Sequence, residues 1–380
     1  MPKKIKKYVL IIPTYNEAEN IEKTVNVVLN SFPKDPLKEF HVLVIDGNSP
    51  DATSGVVRKL IKIHSNVHLL MEKEKRGLGA AYLQAMSYCF DEMGGDYVIQ
   101  FDADLSHDPV IIKSMVALTD SKAEFVTGTR YKKGGSIPSE WAFHRKLISI
   151  GGNLLTRLVF YPTNVSDWTS GYSLISKKVF KTVYNKVSLE KGYNFQISLK
   201  KSALNNGFKI EEVPYHFKDR EMGDSKLGPE YMFRAFYFIL RTRASEILKS
   251  PFFKVCLVGG IGTLVQLSAF ALMFSYLGFN NYVSLVLSVE LAIISNYILN
   301  NNFSFKSNKI EGSKAASLFS FAKFNLISCG SLGIQALSQY IGSVFFGFSD
   351  ITVYTFLIVG ILLGLVSNFY FYKTLVWKVK

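Results

Sequence analysis

After Lys254 the chain runs for 35 residues, as far as Glu290, without a charged side chain. Helices inside water-soluble domains rarely stay uncharged for so long, and a bilayer is spanned by about 20 apolar residues. The segment "YLGFNNY", Tyr276 to Tyr282, divides the run into two lengths that each suffice. Two further uncharged runs follow, Phe324 to Ser349 (26 residues) and Ile351 to Tyr372 (22 residues), separated around "FFGFSD". The pattern predicts four transmembrane helices, roughly 253–275, 282–301, 318–345 and 352–375.

Lys and Arg set the orientation of such a bundle. The two short turns contain neither, whereas the middle loop carries Lys306, Lys309 and Lys314 and the end reads "KTLVWKVK". A multi-pass protein of the cell membrane is expected, with the N-terminal domain, the middle loop and the C-terminus all cytoplasmic. Just before the first span, residues 229–250 mix aromatic and aliphatic side chains with Arg234, Arg241, Arg243 and Lys249. That composition suits an amphipathic helix lying among lipid headgroups. The apolar start, Tyr8 to Ile12, is too short for a signal peptide, so no cleaved leader is expected. Cys89, Cys256 and Cys329 form no CxxC and are read as reduced packing residues.

The 380 residues carry 44 Lys and Arg against 30 Asp and Glu, a formal net charge of +14. Basic chains meet nucleic acid, anionic lipid or phosphorylated substrates. A nucleic-acid binder needs a basic stripe with exposed aromatics. Here the basic residues fall at membrane edges and candidate phosphate positions instead, so nucleic acid is not expected as a partner.

Residues 1–228 alternate strands and helices. "KYVLII", "FHVLVID", "NVHLLM" and "DYVIQFD" read as strands. "EAENIEKTVNVVLNSF", "SPDATSGVVRKLIKI" (capped by its Ser or Asp) and "GLGAAYLQAMSYCFDEM" read as helices. This is βαβ spacing, which predicts a Rossmann-like α/β domain whose mostly parallel sheet is covered on both faces. Ligands of such sheets bind at the carboxyl ends of the strands. There stand Pro13 to Glu17 after the first strand, Asp46 after the second, and Asp102 and Asp104 after the fourth. No GxGxxG follows the first strand. Two adjacent acids with few Cys or His nearby suit a hard divalent cation, Mg²⁺ or Mn²⁺, or else a capped turn. Asp108, directly before Pro109, reads as a helix N-cap. His107, beside these acids, is expected to be a solvated loop residue, with a ligand role as the alternative, and Arg76 a contact at a helix start. Glu290, costly within a span, is expected to pair with a polar neighbour such as Gln266 or Gln335, or to be protonated.

The stretches "IIPTYNEAENI", "VIDGNSPDAT", "EKRGLGAAY", "FDADLSHDP", "GTRY", "SDWTSGYSLIS", "GYNFQISL" and "FKDREMGDSKL" occur in this order over residues 8–228. Together they resemble the polyprenyl-phosphate glycosyltransferases of glycosyltransferase family 2 with the GT-A fold, most closely the dolichol-phosphate mannose synthases. From "FFKVCLVGGIGTLVQ" through "SNYILNNNFSF" the chain resembles the four-helix GtrA-like membrane module. The domains then read as 1–228 catalytic, 229–250 interfacial and 251–380 transmembrane.

The resemblance implies roles for matching positions. Pro13, Tyr15, Glu17, Val44 and Asp46 hold the donor nucleoside. Asp102, Ala103 and Asp104 place the ribose and the metal-bound diphosphate. Ser106 stands where the family often has a Gln as a further metal ligand. Arg130, Arg220 and Lys226 gather the donor diphosphate and the acceptor phosphate, and Arg145 and Ser149 contact the acceptor phosphate. Asp104, Arg130, Arg220 and Lys226 are thus the expected catalytic residues. The implied reaction is an inverting transfer of mannose from GDP-mannose to dolichyl or polyprenyl phosphate, with no obligatory protein partner. Tyr172–Ser173 and Asn194 replace family residues Phe-Arg and Glu, which keeps UDP-glucose open as the donor. A flippase or transporter component is the alternative from another class. A processive synthase is disfavoured, because no Trp follows an Arg as its Q-x-x-R-W motif requires.

The chemistry of a phosphate acceptor agrees with this pattern. Its second pKa is about 6, so the nucleophile is already an oxyanion at neutral pH and needs no general base. Such a site needs cations, to bind phosphate oxygens and to offset the repulsion between two anionic reactants.

Overall fold

The computed structural model describes residues 4–187, 194–219, 229–347 and 349–379. The chain divides into two compact units, Met1–Arg241 and Thr242–Lys380.

The first unit is built on a seven-stranded sheet in the order β3-β2-β1-β4-β6-β5-β7. The strands are β1 (Lys6–Thr14), β2 (Lys38–Asp46), β3 (Val67–Met71), β4 (Tyr97–Gln100), β5 (Phe125–Thr129), β6 (Ser173–Ser176) and β7 (Ile210–Pro214). All neighbours are parallel except β6, which runs antiparallel to both β4 and β5. Continuous apolar runs make the central strands because both faces are covered. From β1, Tyr8, Leu10 and Ile12 point to one face, where α1 (Ile21–Ser31), α2 (Thr53–Ile63) and α4 (Ile112–Leu118) pack. Val9 and Ile11 point to the other, beneath α3 (Leu78–Asp91), α6 (Lys177–Val187) and α7 (Asn194–Asn205). Each of these five β1 side chains is fully buried and contributes about 1.5–3 kcal/mol of transfer free energy. This is the expected α/β architecture, with the added detail of one reversed strand.

The start of α2 differs from the sequence reading. Neither Ser49 nor Asp51 is its N-cap; Ala52 is, in the left-handed region at φ 64°. The Asp51 carboxylate instead accepts from the Thr53 backbone N–H and hydroxyl and from the Ala18 N–H, tying the α2 entry to the loop after β1. Asp108 does cap as expected: its carboxylate accepts from Val110 N–H at 3.1 Å, and Pro109 opens a 3₁₀ turn that leads into α4.

Two helices of this unit place apolar side chains outward. α5 (Phe143–Val159) buries Asn153 and Thr156 and exposes Phe143, Leu147, Leu154 and Leu158. The polar side turns inward for a reason: Asn153 donates to the Ser149 carbonyl and the Thr169 hydroxyl, and accepts from Trp168 N–H. α8 (Pro229–Lys249) fixes Ile239 against Phe160, Val165, Trp168 and Ile197, leaving Phe233, Tyr237 and Leu240 exposed.

The second unit holds four helices long and apolar enough to cross a membrane: Pro251–Tyr276, Asn281–Ser304, Lys314–Phe346 and Ile351–Val376. They comprise α9 (Pro251–Ala271), α10 (Asn281–Leu299), α11 (Lys314–Phe346) and α12 (Asp350–Phe371); three of the spans end in a π-helical turn. α9 packs along α10, and α11 along α12. Small residues set both contacts: Gly262 lies against Asn296, and Gly342 against Phe356. At one end Tyr297, Phe305, Phe324, Tyr372 and Trp377 cluster, with Trp377 stacked on Phe305 and donating to Asn301 Oδ1 at 2.9 Å. Glu290 meets a polar neighbour as expected, though it is Asn325 and not a glutamine: it accepts from Asn325 Nδ2 at 3.4 Å. Cys329 is exposed on α11, so only Cys89 is a buried packing residue.

Candidate active site

The loop after β4 is shaped by its own backbone. Leu105 sits at φ 56°, a region that costs a branched residue about 1–2 kcal/mol. The turn brings Ser106 N–H to 3.0 Å from Asp104 Oδ1. It also returns the His107 ring beneath Asp102, where Nδ1 accepts from Asp102 N–H at 3.2 Å. The ring proton of neutral His107 therefore sits on Nε2, 3.5 Å from Asp102 Oδ2.

His107 is not solvated. It is 2% exposed, stacked on Tyr172 at 4.6 Å and set edge-on to Phe101 and Tyr215. Burial lowers its pKa against the opposing pull of Asp102 and Asp104. The side chain acts as a neutral clamp on the Asp102 backbone. On the other side, Tyr82 OH donates toward Asp102 Oδ1 at 3.4 Å.

Asp102, Ser106 and His107 line a cavity of about 350 Å³ whose wall also includes Arg130, Arg145 and Ser149. Arg130 is held before any ligand arrives: Nε donates to Asp167 Oδ2 at 2.7 Å, Nη2 to Asp167 Oδ1 at 2.9 Å and to Thr169 Oγ1 at 2.7 Å. Burial opposes both charges, yet each partner outweighs it for the other, so Arg130 is raised and Asp167 lowered in pKa. The hydrogen bonds of the guanidinium to the described residues come from Nε and Nη2, and Arg130 lines the cavity. Arg145 lies 3.9 Å over the Trp141 ring, with Nη1 3.2 Å from Asp219 Oδ2. Ser149 Oγ is 2.6 Å from Tyr131 OH.

The same wall includes the apolar side chains of Ile148, Leu155, Ile197, Phe236 and Ile239. The cavity wall thus combines carboxylate, hydroxyl and guanidinium groups with hydrocarbon side chains from α5, α7 and α8.

The remaining expected residues that the structure describes lie outside that wall, at the ends of β1 and β2 and, for Ala103 and Asp104, after β4. Pro13 and Tyr15 are half-buried, and Lys75 Nζ sits 3.8 Å over the Tyr15 ring. Glu17 accepts from Asn20 Nδ2 and its N–H donates to Thr53 Oγ1. Val44 is in the core, and Asp46 is fully buried, accepting from Thr14 Oγ1 and from Ser49 N–H and Oγ. Ala103 is buried, its carbonyl accepting from Thr24 Oγ1 at 2.6 Å. Arg76, just before α3, donates to Glu72 and Gln84, a helix-start contact as expected. Arg220 and Lys226 lie outside the described residues.

The donor set at the β4 end consists of oxygen: Asp102 and Asp104, with Ser106 beside them. Among the described residues no group of three or more His, Cys, Asp or Glu converges on one point. Hard oxygen donors that leave positions for phosphate oxygens fit Mg²⁺ or Mn²⁺, and do not fit a closed structural cage.

Several residues here were not assigned a role from the sequence. Asp167 and Thr169, which lock Arg130, lie within "SDWTSG". Lys200 is fully buried and donates to the Ser170 carbonyl at 2.6 Å and toward that of Trp168 at 3.4 Å. Nothing in its local sequence marks it; only the fold turns it inward.

Residues 9–184 match the family described as Glycosyl transferase family 2, and residues 254–377 match "GtrA/DPMS, transmembrane domain". The chain is 34% identical over 220 residues to the polyprenol monophosphomannose synthase of Mycolicibacterium smegmatis, covering 58% of this chain and 80% of that one. It is 30% identical over 299 residues to the dolichol-phosphate mannosyltransferase of Pyrococcus furiosus, covering 78% and 80%. Among solved structures, glucosyl-3-phosphoglycerate synthase from Mycobacterium tuberculosis is similar at a TM-score of 0.46 and 18% identity, covering 63% of this chain and 80% of that one.

Proposed function

Since this chain belongs to the polyprenol- and dolichol-phosphate mannosyltransferases, family 2 glycosyltransferases with a GtrA/DPMS membrane domain, we propose that it transfers mannose from GDP-mannose to a polyprenyl or dolichyl phosphate on the cytoplasmic face of the membrane. The observation that carries this reading is a cavity whose wall combines polar, charged and hydrocarbon side chains. An acceptor with a phosphate head and an isoprenoid tail has the same combination of chemistry as that wall. The outward apolar faces of α5 and α8 suit residence in the lipid interface, where such an acceptor is found.

The residues take complementary parts. Asp102 and Asp104, with Ser106 adjacent, are the candidates to hold a divalent cation that, when bound, offsets charge on the leaving diphosphate. Pro13, Tyr15, Glu17, Val44, Asp46 and Ala103, at the β1, β2 and β4 ends, are proposed to receive the nucleoside and ribose. Arg130 offers Nη1 to phosphate oxygen, with its planar fork already fixed by Asp167. Arg145 and Ser149, on the α5 side of the cavity, are proposed to bind the acceptor phosphate, and Arg220 and Lys226 to add positive charge. A phosphate oxygen of the acceptor attacks the anomeric carbon as the bond to the donor diphosphate breaks. No proton has to leave the nucleophile, and in-line attack converts the α-linked donor into a β-linked product.

The full-length protein, incubated with Mn²⁺, a polyprenyl phosphate and labelled GDP-mannose or UDP-glucose, tests the reading. Mannose label is expected in the lipid phase. Label entering only from UDP-glucose would replace the donor, and label from neither would reject the function.

A further inference from the structure

Gln196 is a polar residue of the cavity wall that the reaction so far leaves unused. It stands on the first turn of α7 and is 3% exposed, yet neither Oε1 nor Nε2 has a hydrogen-bond partner among the described residues. Buried amides are nearly always satisfied, so one that is not asks for a ligand. Its place is defined from two sides. It lines the same cavity as Asp102 and Arg130. Nε2 lies 3.5 Å from the point a β-carbon would occupy on Gly171, and His107 Cε1 lies 3.9 Å from that point. The amide is therefore next to the ring that supports Asp102.

The chemistry of a carboxamide narrows what it meets. A cation takes acceptors only, and a phosphate dianion takes donors only. A primary amide offers both an N–H₂ donor and a carbonyl acceptor, which matches an alcohol, itself donor and acceptor. Of the groups the proposed reaction brings together, the ribose and the transferred hexose present alcohols, and the ribose is assigned above to residues at the β1, β2 and β4 ends that do not line this cavity. The hexose must also lie between the diphosphate at Asp102 and the acceptor phosphate at the Arg130 and Arg145 side. Resting on that reading, we infer that Gln196 hydrogen-bonds a hydroxyl of the hexose being transferred and is a specificity-determining residue for the sugar.

The test compares full-length wild type with Gln196→Met, using GDP-mannose and its 2-, 3-, 4- and 6-deoxy analogues. In wild type, one analogue should lose about tenfold in kcat/KM, the worth of one hydrogen bond to a neutral partner. In Gln196→Met that analogue and GDP-mannose should react equally well. Thermal unfolding gives an independent readout. Replacing an unpartnered buried amide by an apolar side chain of similar length should leave Tm unchanged or raise it. The inference is overturned if every analogue loses the same factor in both proteins. It is also overturned if Gln196→Met melts lower or fails to fold, since the amide is then structural. Should wild type use only UDP-glucose, the donor proposed above fails, and the deoxyglucose series decides the role of Gln196 in the same way. If neither donor reacts, the function and this inference fall together.

Discussion

The Arg130 guanidinium meets the Asp167 carboxylate through two bonds, Nε to Oδ2 at 2.7 Å and Nη2 to Oδ1 at 2.9 Å, with the carboxylate wholly buried. Removing one member of such a pair strands the other charge. Asp167→Ala should therefore destabilise the catalytic unit by about 3–5 kcal/mol and also lower transfer. Thermal unfolding of the purified protein checks this, and an unchanged Tm would contradict it. Asp167 has a depressed pKa, so its stabilisation is present above its unfolded value and is lost as pH falls through the folded one.

Asp104→Ala and Asp102→Ala should each cut Mn²⁺-dependent transfer by about 100-fold or more, because charge on the leaving diphosphate is then no longer offset. The Asp102 side chain is 38% exposed, so its loss should cost little stability. Label transfer and Tm, measured on the same preparations, separate the two effects. Normal activity in Asp104→Ala would remove the metal assignment.

Arg145 should act on the acceptor alone. Arg145→Ala is expected to raise KM for polyprenyl phosphate about tenfold or more, the worth of a charge-assisted hydrogen bond, with KM for the donor unchanged. Equal effects on both substrates would argue against this placement. Arg220→Ala and Lys226→Ala are expected to impair turnover, and wild-type rates in both would contradict the phosphate clamp.

Lys200 has its pKa pushed down to about 8 by burial, opposed by Asp167 and Glu212 and assisted by Arg130. Between that value and about 10.4 in the unfolded chain, the native state has released a proton that the unfolded state keeps. Stability from this group therefore rises with pH across that window. Lys200→Met removes this term. The Tm of wild type relative to the variant should shift in favour of wild type between pH 7.5 and 9.5 (about two pH units). A constant difference would show that Lys200 does not titrate there.

The loop from Lys306 to Lys314 is expected to be cytoplasmic. A membrane-impermeant amine reagent should label it in inside-out vesicles and not in intact cells. Labelling from outside intact cells would reverse the proposed topology.

The sequence was informative where a pattern was local. β1 to α3 were readable because each strand is an apolar run and each helix follows at βαβ spacing. The four spans were readable from missing charge alone. Asp108 declared its capping role through the proline beside it. Contacts made across long separations left no such signal. The burial of His107 is supplied by Tyr172 and Tyr215, and the lock on Arg130 by Asp167, from segments that meet only once the sheet has formed. β6 is four residues of "SLIS", too short and polar to show its reversed direction. The cap of α2 was misplaced because Asp51 was free to bond the neighbouring loop instead.

The hydrocarbon part of the cavity wall has a kinetic consequence if α5 and α8 rest in the interface as proposed. The acceptor then arrives by lateral diffusion within a leaflet, and the concentration that matters is its mole fraction among lipids. Diluting the acceptor with inert phospholipid at fixed bulk concentration should slow the reaction, whereas enlarging the aqueous volume should act only through the nucleotide donor.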